Sequence, residues 1–156
     1  MKKGWYILLY HNVSWEENPY LNGLGLTCPP DIFRDHLKHL SRAGEFVSVS
    51  EGLSRLNSGM INKPIFSFWF DDGFTGVRQY ALPLLEKYSV TGALSISSRF
   101  WNREELLWRS KLSYLNYIDG LKILRSRLRK YGHEKGLSIK KFTVDCFSEL
   151  MKSIRN

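Results

Sequence analysis

The run IFSFWF, from Ile65 to Phe70, ends on Asp71, Asp72 and Gly73, and this junction constrains the fold more than any other stretch. Six uncharged residues, five of them apolar, stop at a glycine turn signal, which is the length and composition of a buried strand. Two adjacent carboxylates cannot follow that strand into an apolar interior, because an unpaired buried charge is costly and neighbouring ones repel. They sit in a solvated turn, or in a site that uses their charge.

Around this strand the pattern alternates. Tyr6 to Tyr10 reads as a short first strand, and residues 12–30, rich in Asn, Gly and Pro, read as a loop. Pro29, Pro30 and Asp31 open a helix that carries Ile32, Phe33, Leu37 and Leu40 and stops at Gly44. Phe46 to Val49 reads as a second strand, and Ser50 as the cap of a short helix ending at Ser58-Gly59. After the Ile65–Phe70 strand come a helix from about Val77 to Tyr88 and a fourth strand, Thr91 to Ile96. Strand and helix in alternation predict an α/β fold with a parallel sheet.

Beyond Ser97 strand signals fade. Leucine and isoleucine recur without alternation as far as Leu128, Gly132 interrupts them, and Ser138 is placed to cap a last helix bearing Phe142, Val144, Phe147, Leu150 and Met151. The charge changes at the same place. Residues 1–102 hold 10 Lys or Arg against 9 Asp or Glu, whereas residues 103–156 hold 13 against 6. The expected organisation is thus 1–100 as an α/β portion and 101–156 as a basic helical insertion or extension of it. That basic block reads either as a solvated helical face or as a contact surface for an anionic polymer or lipid headgroups. No recognised nucleic-acid motif accompanies the charge, which argues against that class of partner.

The chain of 156 residues is long enough for one core, and its 14% aromatic content argues against disorder. Cys28 and Cys146 have no metal-type spacing. The apolar stretch after MKKG is too short for a secretory leader, and no run approaches the ~18 apolar residues that span a bilayer. The expected location is cytoplasmic by default.

At the carboxyl end of a parallel strand, adjacent aspartates can divide labour, one taking a proton and the other holding a cation. By itself DDG reads first as the signature of a structural Asx turn. Its flanks add to it. FWFDDGFTGVRQYALPLLEKYSVTGALSIS, the upstream ILLYHNVS and PPDIFRDHLKHLSRAGEFVSVSEGL together resemble the polysaccharide deacetylase family, over roughly residues 6–100. The resemblance implies the N-terminal portion of a distorted (β/α) barrel and metal-dependent hydrolysis of N-acetyl, sometimes O-acetyl, groups on a glycan. It implies Asp71 as the general base, Asp72 as a ligand of a zinc-like divalent metal, and His11, Gly73 and Phe74 as residues lining the site or facing the substrate.

The family pattern also has a His-Ser/Thr-x-x-His motif after the aspartates, and nothing after Asp72 fits it. His133, in YGHEKG, reads as a surface residue, and His36 and His39 fall on the helix after Pro30. The metal ligand set is therefore expected to be incomplete in this chain. Two accounts follow: a deacetylase chain that stops before the histidine motif, or a non-catalytic remnant that binds a glycan or a partner. A membrane-surface module built on the basic helices is the reading from a different class.

Overall fold

The computed structural model describes residues 1–102 and 104–136. The helix expected after Ser138 and the second cysteine, Cys146, lie outside the described residues. Those described fall into two units, one of residues 1–16 and 26–105, the other of 17–25 together with residues from 106 onward.

The first unit is a parallel α/β sheet. Its middle strand is β5 (Pro64–Phe70). Strand β1 (Gly4–Tyr10) pairs with all of it in parallel, from Gly4 opposite Pro64 to Tyr10 opposite Phe70. Two short strands divide its other edge: β4 (Glu45–Phe46) lies along Ile65 and Phe66, and β6 (Gly92–Leu94) along Phe68 to Phe70. The fold class expected from the alternation of elements is the one observed. Two residues at Asn12–Val13 (β2) and two at Thr27–Cys28 (β3) form a small separate parallel pair inside the stretch expected to be loop.

Side chains alternate across a strand, and on β5 the two sets meet different surroundings. Phe68 and Phe70 enter a core shared with Val13, Phe33, Leu37, Ala81, Leu85 and Val90. Phe33 and Leu37 come from α1 (Pro30–Ala43), where a spacing of four puts them on one face. Pro30 starts that helix, where its missing N–H costs nothing, and the Gly44 N–H closes the last turn on the Leu40 carbonyl. Each phenylalanine so buried contributes on the order of 1.5–3 kcal/mol from the water it leaves.

On the other face α2 (Val49–Asn57) covers the beginning of the sheet. A methyl group on Gly52 would collide with the Trp5 indole, whose Nε1 donates to Ser67 Oγ at 2.9 Å, and Ser67 Oγ donates on to the Val47 carbonyl at 2.9 Å. The cap of α2 is Ser48 rather than Ser50: Ser48 Oγ accepts from the Glu51 N–H at 3.1 Å, the Ser-x-x-Glu arrangement of a capping box. Starting the helix there shortens the strand expected to reach Val49. Arg55 then grips Glu45 with two parallel hydrogen bonds of 3.0 and 2.9 Å and also pairs with Glu51, while Lys63 Nζ lies 3.0 Å from Glu45. With these partners, Arg55 first and Lys63 second, the Glu45 carboxyl is held down to about 2.

The helix after Gly76 begins as a π-helical turn, Val77–Ala81, and continues as α3 (Leu82–Lys87). Pro83 cannot donate a helical hydrogen bond, and the wider turn before it, closed from the Leu82 N–H to the Val77 carbonyl, accommodates that. A single turn, α4 (Ser98–Trp101), follows β6.

The second unit is built on α5 (Trp108–Glu134). The helix passes through Gly132, so the expected interruption does not occur and His133 lies in its last turn rather than in a loop. Glycine costs only about 1 kcal/mol in a helix, which a long flanking segment can offset. Ser113 is buried, with its Oγ 2.9 Å from both the Pro19 and the Asn22 carbonyl, and Tyr20 stacks on Tyr114 with ring centres 5.0 Å apart. Among the described residues no helix is long and apolar enough to cross a membrane.

Candidate active site

Asp71 is the first residue beyond β5, and backbone bonds fix it from both sides. Its N–H donates to the Tyr10 carbonyl at 2.9 Å, while the Ser95 N–H donates to the Phe70 carbonyl at 2.8 Å. The residue thus stands at the carboxyl end of the central strand, between the ends of β1 and β6. Its side chain is half-buried and held at one oxygen. Trp69 Nε1 donates to Asp71 Oδ1 at 2.9 Å, Ser95 Oγ donates to the same oxygen, and the indole N–H also lies 3.3 Å from Ser95 Oγ. Trp69 and Asp71 are two apart along the strand direction and so share a face. Ser95 reaches that face because β6 runs parallel to β5 in register.

Asp72 and Gly73 follow with φ of 69° and 72°. Two successive left-handed residues reverse the chain sharply. Glycine adopts this conformation freely and aspartate is one of the few other residues that tolerates it. Phe74 then turns inward, buried, with its ring 6.1 Å from that of Phe100, and its carbonyl accepts from the Val77 N–H at 3.1 Å as the helix begins. The turn is thereby pinned on both sides.

His11 follows Tyr10, the register partner of Phe70, so the two chains leave the sheet at the same level. It is half-buried, and among the described residues it makes no hydrogen bond or ion pair. Tyr10 faces the opposite way, packed against Phe33, Phe68 and Phe70, with its hydroxyl 2.8 Å from His36 Nδ1. Burial pushes its phenol well above the usual range, with the Cys28 thiol a lesser contributor; the Cys28 thiol is itself raised by burial and then by Asp31. His36 is thus engaged on the helix side of the sheet, and His39 Nδ1–H donates to its own helix at the Asp35 carbonyl, 2.7 Å away. Neither joins the aspartates.

The described residues do not build a metal site: no group of three His, Cys, Asp or Glu side chains converges among them. What the arrangement can do is hold one carboxylate in a fixed orientation at the mouth of a sheet, beside a second carboxylate on a constrained turn. Trp69 and Ser95 are the site residues that motif reading missed. Trp69 was signalled by its i, i+2 relation to Asp71. Ser95 had only the expectation that the fourth strand ends level with the third.

Neither a family sequence model nor a curated relative matches the chain. Solved structures do. The Streptococcus pyogenes deacetylase PplD, solved in complex with acetate, matches with a TM-score of 0.56 at 21% identity, over 74% of this chain and 53% of that one. IcaB from Ammonifex degensii matches with a TM-score of 0.51 at 22% identity, over 61% of this chain and 39% of that one. The chain therefore spans about half the length of the first and less of the second. At such identities the likeness is one of fold, and the chain has, over part of its length, the fold of the polysaccharide deacetylases.

Proposed function

We propose that the chain is the N-terminal part of a carbohydrate deacetylase, acting on N-acetyl or O-acetyl groups of a glycan. Asp71 accepts the proton of the attacking water. The observation that carries this reading is the position of Asp71-Asp72-Gly73 at the carboxyl end of the middle strand of a deacetylase-like sheet, where open α/β folds keep their ligand sites. In the reaction, water adds through its oxygen to the acetyl carbonyl carbon and one water proton passes to Asp71. The C–N bond, or the C–O bond of an O-acetyl group, then breaks, and the leaving nitrogen or oxygen takes the proton back from Asp71. The free amine or alcohol leaves with acetic acid, which ionises to acetate by losing its proton to water. Asp72 contributes a carboxylate to the same mouth, with His11, Gly73 and Phe74 lining it. A zinc-like ion does not fit the described residues alone, so the rest of the site belongs to polypeptide outside them.

The test is acetate release from N-acetylated and O-acetylated glycan oligomers by the full-length product of the gene that encodes this chain, with divalent cations present. Asp71→Asn should lower the rate about a hundredfold or more, the usual contribution of a positioned acid or base, without lowering thermal stability. A full-length product that binds such oligomers but releases no acetate would instead support the non-catalytic remnant.

A further inference from the structure

We infer that Ser95 and Trp69 are positioning residues for Asp71, holding its Oδ1 so that Oδ2 is the oxygen that receives the water proton; this rests on the deacetylase reading above. The carboxyl group of an aspartate is otherwise a loose two-fold rotor about its last bond. Here two donors from different strands meet on one oxygen, the indole N–H at 2.9 Å and the serine hydroxyl beside it. Among the described residues no hydrogen bond or ion pair reaches Oδ2. Both donors are themselves fixed. Trp69 is locked in β5 opposite Leu9, and Ser95 is tied through its own N–H to the Phe70 carbonyl at 2.8 Å. The indole N–H also lies 3.3 Å from the serine oxygen, which closes the three groups into a ring of contacts. A proton acceptor must lie in hydrogen-bond reach of its water in one orientation, and rigid placement of reacting groups supplies much of an enzyme's advantage.

Two measurements on Ser95→Ala and Ser95→Thr test this. The first follows the Trp69 indole N–H signal in a proton–nitrogen NMR spectrum of residues 1–156, assigned with Trp69→Phe. Ser95→Ala should shift the signal and speed its exchange with solvent, Ser95→Thr should restore both, and Asp71→Asn should move the same signal from the other partner. The second measures acetate release by the full-length gene product. Ser95→Ala should lower kcat about tenfold, the scale for one lost bond to a charged group, with KM unchanged and with Ser95→Thr restoring the rate. An indole signal indifferent to both Ser95→Ala and Asp71→Asn overturns the inference. So does an active product in which Ser95→Ala keeps its kcat, and the deacetylase reading then stands. A gene product inactive on every acetylated glycan overturns the reading itself, even where the indole responds as expected. If Ser95→Ala fails to fold, Ser95→Thr and Asp71→Asn still decide the first measurement.

Discussion

The two faces of β5 differ in what they do with the same strand. On one face Phe66, Phe68 and Phe70 are buried, the last two in a core with side chains of α1 and of the helix after Gly76. On the other, burial falls off along the strand, from Ser67 at 0% exposure to the half-buried Trp69 and Asp71. Their neighbours in β1 are more open still: Ile7, opposite Ser67, is 48% exposed and Leu9, opposite Trp69, is 57% exposed. Stability is concentrated on the first face. The hydrogen-bonded polar groups Trp69 Nε1, Asp71 and Ser95 are grouped on the second, where water can arrive. A single strand serves both because its side chains alternate, so neither task constrains the residues of the other.

The largest expected effect breaks the closed face. Phe68→Ala removes a ring buried among Tyr10, Phe33 and Phe46 and should cost about 3–5 kcal/mol in urea unfolding. A loss under ~1 kcal/mol would mean that this core is much looser than its burial implies. Gly52→Ala attacks the covered beginning of the other face by forcing a methyl into the Trp5 indole, and should cost about 1–3 kcal/mol through overpacking. If it is neutral, α2 does not seat on Trp5 as described.

Acid probes that same end more gently. Glu45 takes up its proton near pH 2 when folded, against an ordinary value of 4.5. A depressed carboxyl stabilises the fold fully above the ordinary value and loses that contribution as the pH falls. Stability should therefore decline between pH 4.5 and about 2, and Glu45→Gln should flatten that part of the profile. Both side chains remain partly exposed, Arg55 at 26% and Glu45 at 35%, so the change is expected to be smaller than either core substitution. Smallest of all, Leu9→Ser on the open face should leave stability within about 0.5 kcal/mol. A large loss there would show that something covers Leu9 in solution.

How far these faces could be read in the sequence varied with the range of the interaction. Strand β5, the helix after Pro30 and the parallel class were legible because each is written in a local run: IFSFWF, or Pro-Asp followed by Phe33 and Leu37 at helical spacing. The Asp71-Asp72-Gly73 turn was legible for the same reason. The pairing of Asn12–Val13 with Thr27–Cys28 was not, because two-residue strands carry no periodicity and find each other only through the tertiary fold. Ser48 as the cap of α2 was legible in principle, from Glu51 three residues on, but Ser50 stood nearer the apolar residues that marked the helix. The hold of Ser95 on Asp71 spans 24 residues, and only the register of β6 against β5 brings them together. Such cross-strand bonds have no signature in one sequence.

The left-handed turn at Asp72 bears on how this chain can drift. Left-handed backbone suits glycine best, and other residues carry a strain of about 1 kcal/mol there, somewhat less for asparagine and aspartate. At φ 69°, replacement by glycine would ease the backbone, and asparagine would adopt this φ as readily as the acid. The backbone by itself therefore does not call for a carboxylate at this position, and whatever keeps the acid there acts through its side chain. Any resistance to drift at Asp72 thus comes from its side chain and not from its φ, whereas Phe68 and Phe70 are held in place by the core itself.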